Sequence, residues 1–141
     1  MTSLSFPDVN VWLALLLEHH VHRPSALAWW TQTDSDAVFT RLTQMSVLRL
    51  LTTAATMDGQ PLTMVQAWQA YDRLFEDERV VLYPEPTGVE APFRQLSKAP
   101  AASPKVWADA YLIAFVSGHG GQLVTFDQAL ENRGANCLVL R

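Results

Sequence analysis

Cysteine is almost missing from this chain. Cys137 is alone among 141 residues, which excludes an internal disulfide and fits a reducing, cytoplasmic setting. Long apolar runs are missing too: VWLALLL halts at Glu18, His19 and His20, well short of the roughly 18 residues a membrane span requires. No basic stretch leads into an apolar one near Met1, so no secretion signal is expected. Charge is sparse, at 17% of residues, and 10 basic against 14 acidic side chains leave a net −4. The chain as a whole therefore exerts no electrostatic pull on nucleic acid. That weighs against non-specific DNA binding, though not against a site in which bound cations draw phosphate.

What is abundant is apolar surface, at 49% of residues, enough for a folded core in what is most simply one domain over 1–141. Short extended runs alternate with longer helical ones. Strands are expected at 3–6, 37–40, 80–83, 122–126 and 137–140, and helices at 10–18, 24–32, 43–54, 62–76, 89–98 and 104–117. That alternation is the pattern of an α/β fold with a mainly parallel sheet. Ser103-Pro104 reads as N-cap and first position of a helix ending at Gly118. Gly59-Gln60-Pro61 separates two helices, and Tyr83 to Gly88 is a loop because neither Pro84 nor Pro86 can donate to a ladder.

In an open parallel sheet, ligands bind beyond the carboxyl ends of the strands. Asp8 follows SLSF with only Pro7 between, and Asp127 directly follows QLVTF, so two strands deliver carboxylates to one edge. Asp109 lies in VWADAYLIAFV, a run apolar nearly all round, and counting from Ser103 it sits too far in to be a cap. Its simplest partner is a cation shared with Asp8. Such oxygen donors suit Mg²⁺ or Mn²⁺, which keep several waters and take only one or two protein carboxylates. Taken singly, Asp8 also reads as the N-cap of helix 10–18 and Asp127 as a cap or turn residue for QALENR.

DVNVWLAL, RLTQMSVLRLLT and WADAYLIAFVSGHGGQLVTFDQAL, in that order across nearly the whole chain, resemble the PIN-domain ribonuclease toxins of the VapC type. The resemblance implies a PIN-like fold in three α/β/α layers, a cytoplasmic toxin of a type II toxin–antitoxin module, and Mg²⁺-dependent hydrolysis of RNA phosphodiesters. It makes Asp8, Asp109 and Asp127 the catalytic acids, with Asp8 and Asp109 the principal metal ligands, and Asn10 and Thr125 supporting them. It also implies an RNA substrate such as tRNA or rRNA, a VapB-type antitoxin and a second copy of the chain as partners. One departure stands in the middle motif. Gln44 occupies the place where many relatives carry glutamate, so a second metal would be held weakly or not at all. A degenerate PIN domain that binds RNA or antitoxin without cutting is therefore the alternative.

Arg41 and Arg49 flank that motif and are candidates for phosphate contacts, Arg49 the stronger because it interrupts the apolar SVLRLLT. His19, His20 and His22 match no zinc spacing and read as an exposed helix end and loop. Trp12, Trp29 and Trp30 read as core or interface, with one of the adjacent pair turned outward toward a partner. A receiver domain also gathers aspartates at strand ends, but AVFT ends in Thr40 and is followed by Arg41, and VVLY is followed by Pro84, leaving no mid-chain phosphoacceptor.

Overall fold

A computed structural model describes residues 3–134 and 136–141. Its strands are β1 (Leu4–Pro7), β2 (Asp36–Phe39), β3 (Val80–Leu82), β4 (Gln122–Thr125) and β5 (Cys137–Val139). The helices are α1 (Val9–Leu16), α2 (Arg23–Gln32), α3 (Arg41–Leu51), α4 (Met64–Leu74), α5 (Glu90–Leu96) and α6 (Val106–Gly118). The strands form one sheet in the order β3-β2-β1-β4-β5, and every pairing among the described residues is parallel.

Side chains alternate across each strand, so one strand feeds two cores. In β2, Ala37 and Phe39 pack with Trp12, Val47, Leu51 and Tyr71 of α1, α3 and α4. Val38, between them, packs on the opposite face with Phe6, Leu123 and the α6 residues Leu112, Ile113, Phe115 and Val116. The result is helices on both faces of a central sheet. Phe39 stacks on Trp12 at a centroid distance of 4.0 Å, and both are fully buried. The sheet also comes close to its own connections: a Cβ on Gly121 would run into the Phe6 ring and sit 3.1 Å from the Leu4 carbonyl oxygen.

Local chemistry sets several helix starts. Thr40 and Thr63 each cap a helix reciprocally with the third residue on, Thr43 and Gln66. The Ser103-Pro104 signal, in contrast, misplaces the start of α6. Pro104 and Lys105 form a turn closed by Val106 N–H on the Ser103 carbonyl at 3.0 Å, and the helix begins only at Val106. Asp109 consequently lies in the first turn, where free N–H groups favour a negative charge, and is not deep in the helix as its spacing from Ser103 implied. Neither Trp29 nor Trp30 is turned fully outward: both are half-buried, and Trp30 packs edge-on against Trp12. The Arg79 guanidinium lies 3.9 Å from the Trp30 ring centroid and donates to the carbonyls of Trp30 and Thr33, tying α2 to the start of β3. No helix among the described residues is long and apolar enough to cross a membrane.

Candidate active site

Asp8 directly follows β1, because Pro7 belongs to the strand. Its N–H donates to the Val124 carbonyl of β4 at 2.8 Å, which plants it between two neighbouring strands at their carboxyl ends. Both oxygens of its side chain are engaged. Oδ1 accepts from Val9 N–H at 2.8 Å as the cap of α1, and Oδ2 accepts from the Thr125 hydroxyl at 3.1 Å. Thr125 is 1% exposed and couples two acids, since the same hydroxyl oxygen accepts from Asp127 N–H at 3.0 Å. Asp127 in turn caps the short 3₁₀ helix Gln128–Leu130, accepting from Ala129 N–H at 2.9 Å. The cap reading of each aspartate thus describes its local geometry, and the strand-end reading describes why the two meet.

The electrostatics of the cluster are those of too much negative charge in too little water. Burial pushes the Asp8 carboxyl above its usual range; its hydrogen bonds with Val9 and Thr125 oppose this and the nearby Asp127 charge adds to it. Asp109 is also pushed up, first by desolvation and then by the charges of Asp8 and Asp127, while Arg133 pulls it back. Neither Asp8 nor Asp109 forms an ion pair among the described residues. No three His, Cys, Asp or Glu side chains among those residues close into a ready chelate. The fit is that of a hard divalent cation taking two carboxylates and keeping water: oxygen donors only, a shared excess of negative charge, and no protein cation offsetting it at contact.

The supporting residues divide. Asn10 is exposed on the first turn of α1. Gln44 is buried, and its Oε1 accepts from Arg41 Nη1 at 2.7 Å. Arg41, the first residue of α3, therefore stands at the carboxyl edge of the sheet. Arg49 lies in the last turn of the same helix, about 12 Å away at 1.5 Å per residue. There it lines an apolar groove with Met45, Met64 and Trp68, so the structure brings Arg41 to the site edge and leaves Arg49 outside it. His22 stacks on Phe126, next to Asp127, at 4.5 Å. Sequence reasoning missed Arg133, which follows the 3₁₀ helix and whose positive charge opposes the upward shift of Asp109. Its only signal was position, six residues after Asp127.

Comparison with known proteins agrees with the architecture. The PIN domain family profile matches residues 5–136. Ribonuclease VapC41 of Mycobacterium tuberculosis is 43% identical over 133 residues, covering 90% of this chain and 91% of that protein. Ribonuclease VapC39 of the same organism is 30% identical over 142 residues, covering 94% of each. Two solved structures share the fold. M. tuberculosis VapC20, described as a sarcin–ricin loop cleaving toxin, superposes with a TM-score of 0.68 at 16% identity, covering 93% of this chain and 95% of that one. VapBC2 from Rickettsia felis, solved on a DNA fragment from its promoter, gives 0.62 at 9% identity, with 98% and 99% covered. With a family profile over most of its length and a curated relative at 43% identity, the chain belongs to the PIN-domain family, among its VapC-type ribonuclease toxins.

Proposed function

We propose that this protein is a Mg²⁺-dependent endoribonuclease, with Mn²⁺ able to substitute, that acts in the cytoplasm as the toxin of a type II toxin–antitoxin pair. One observation carries the reading: the half-buried Asp8 carboxylate is fixed through both oxygens and shares with Asp109 and Asp127 a negative field that Arg133 offsets only in part.

Asp8 and Asp109 would hold the cation. When bound, a divalent ion supplies Lewis acidity toward a phosphodiester and a lowered pKa for water. The remaining work belongs to the protein. Thr125 keeps Asp8 in one rotamer, so the ligand is positioned before substrate arrives. Asp127, exposed and oriented by its cap to Ala129, would orient the attacking water and accept its proton. Arg41 and Arg133 flank the acids and would contact phosphate oxygens, where charge accumulates during in-line displacement. Gln44 contributes a neutral carboxamide where many relatives place a carboxylate, which favours one metal over two.

The partners follow from the family. A VapB-type antitoxin would cover the site, and an arginine reaching Asp8 and Asp109 would inhibit by replacing the cation. A second copy of the chain is the other expected partner, in a homodimer. The VapC20 description makes ribosomal RNA a substrate to test beside tRNA. The test is cleavage of pooled tRNA and ribosomal RNA by the purified chain with Mg²⁺, with EDTA, and with Asp8→Asn. Discrete fragments requiring both Mg²⁺ and Asp8 support the reading. Equal, intact RNA in all three, with folded protein free of antitoxin, replaces it with a binding role.

A further inference from the structure

The acidic cluster occupies the ends of β1 and β4, yet the carboxyl edge continues past it. Asp8 follows β1, Arg41 stands two residues after β2, and Tyr83 directly follows β3. With neighbouring strands about 4.8 Å apart, the end of β3 lies roughly 10 Å from that of β1. At this end of the sheet opens a cavity of about 640 Å³, walled by Arg41, Tyr83, Glu85 and Tyr111. An RNA strand crossing the acids toward β3 would run into it.

The chemistry of that wall differs from that of a phosphate site. Among the described residues the Arg41 guanidinium donates to the neutral Gln44 carboxamide and forms no ion pair, which leaves its charge free to neutralise phosphate. Beyond it, the Tyr111 hydroxyl donates to Glu85 Oε1 at 2.6 Å, fixing the carboxylate of an otherwise exposed loop residue. Glu85 has no ion-pair partner among the described residues. An anion of this kind would repel an RNA backbone but accept N–H groups from a base edge. Tyr83 and Tyr111, both half-buried, add aromatic surface on which a splayed base can stack.

We infer that this cavity is a nucleobase subsite for guanine, held by Arg41 on the adjoining phosphate and by Glu85, oriented by Tyr111, on the base. Guanine is assigned because its Watson–Crick edge places the N1–H and N2–H donors side by side, matching two carboxylate oxygens. Adenine, cytosine and uracil each put an acceptor beside their donor, which the second oxygen would meet with repulsion. The inference rests on the ribonuclease reading and adds to it a sequence preference one or two nucleotides from the bond cut.

The test has two arms on the full chain. In the first, a randomised oligoribonucleotide pool is cut with Mg²⁺ by wild type, Glu85→Gln and Tyr111→Phe, and the ends are sequenced. Wild type should favour guanine at one position by about tenfold or more, the discrimination of a good bidentate contact. Glu85→Gln should transfer that preference to adenine, whose amino group and ring nitrogen suit a carboxamide, and Tyr111→Phe should flatten it. A contact that merely ties a loop to α6 would change the overall rate and leave the preferred base unchanged. In the second arm, GMP, AMP, CMP and UMP are titrated in EDTA while chemical shifts of Tyr83 and Tyr111 are followed. GMP binding best, and losing that lead in Glu85→Gln, upholds the subsite even if no RNA is cut, which would sink only the nuclease reading. Asp8-dependent cleavage with the same base preference in all three proteins would overturn the subsite and leave the nuclease standing. Four nucleotides binding alike, without guanine preference in the cut RNA, would overturn it as well.

Discussion

Replacing Thr125 by valine keeps volume and β-branching while removing one hydroxyl that makes two hydrogen bonds. The first is to the Asp8 carboxylate at 3.1 Å, a bond to an ionised group worth roughly 1.5–3 kcal/mol. The second, from Asp127 N–H at 3.0 Å, is neutral and contributes about 1 kcal/mol. The expected loss in EDTA at neutral pH is therefore about 2.5–4 kcal/mol, close to 10 °C in Tm at about 3 °C per kcal/mol for a chain this long. The loss must depend on pH. Asp8 has a raised pKa in the fold, so at pH 3.8, its ordinary value, it is already more than half protonated. There the first bond loses its charge assistance and the cost of the substitution should fall to about 1–2 kcal/mol. Urea denaturation of both proteins at the two pH values, with m-values compared, measures this directly. A loss below about 1 kcal/mol at neutral pH, or an equal loss at both, would refute the claim that Thr125 serves the charged Asp8.

Because Asp8 and Asp109 have raised pKa values, their stabilising contribution is complete below the ordinary carboxylate range and is lost as pH rises through the shifted values. Asp8→Asn, which retains an equally good helix cap, should thus be more stable than wild type at neutral pH without divalent ions, while cutting RNA slower by about a hundredfold or more. Thermal melts in EDTA and a cleavage assay check both halves. Mg²⁺ at about 100 times its dissociation constant should stabilise wild type by about 2.7 kcal/mol and leave Asp8→Asn nearly unchanged, as a melt series at rising Mg²⁺ will report. Arg41→Ala should lower kcat/KM on RNA about tenfold or more, whereas Arg49→Ala should stay within about twofold; equal effects would return Arg49 to the site. Gly121→Ala should cost about 1–3 kcal/mol in urea denaturation by forcing the Phe6 ring aside.

The strands were legible to within about a residue because an interior parallel strand must be apolar on both faces, as AVFT and QLVTF are, while VVLY, which forms the edge strand, is a β-branched run bounded by loop signals. Asp8 and Asp127 were legible for the same reason, since a strand end fixes where the next side chain goes. The start of α6 was misread because Ser103-Pro104 carries a good cap signal, yet the chain there closes a turn before the helix can begin. The placement of the two arginines at opposite ends of α3 was not legible, because interruption of an apolar run marks an exposed helix position without saying which end of the helix faces the sheet edge. Arg133, and the bond between Tyr111 and Glu85, depend on loops folding back across the sheet, and no local pattern encodes contacts between residues 26 apart.

Gln44 has a consequence for how the protein responds to its ionic surroundings. With a glutamate at that position, Arg41 three residues earlier would spend its charge on an internal pair; with a carboxamide, the contact at 2.7 Å orients the guanidinium and leaves it cationic. One positive charge is thereby transferred from internal neutralisation to the RNA, in a chain whose net charge of −4 offers no general attraction. Association with RNA should therefore weaken with added salt along a shallow slope governed by a few local contacts, each releasing about one counterion, and Arg41 should account for one of them.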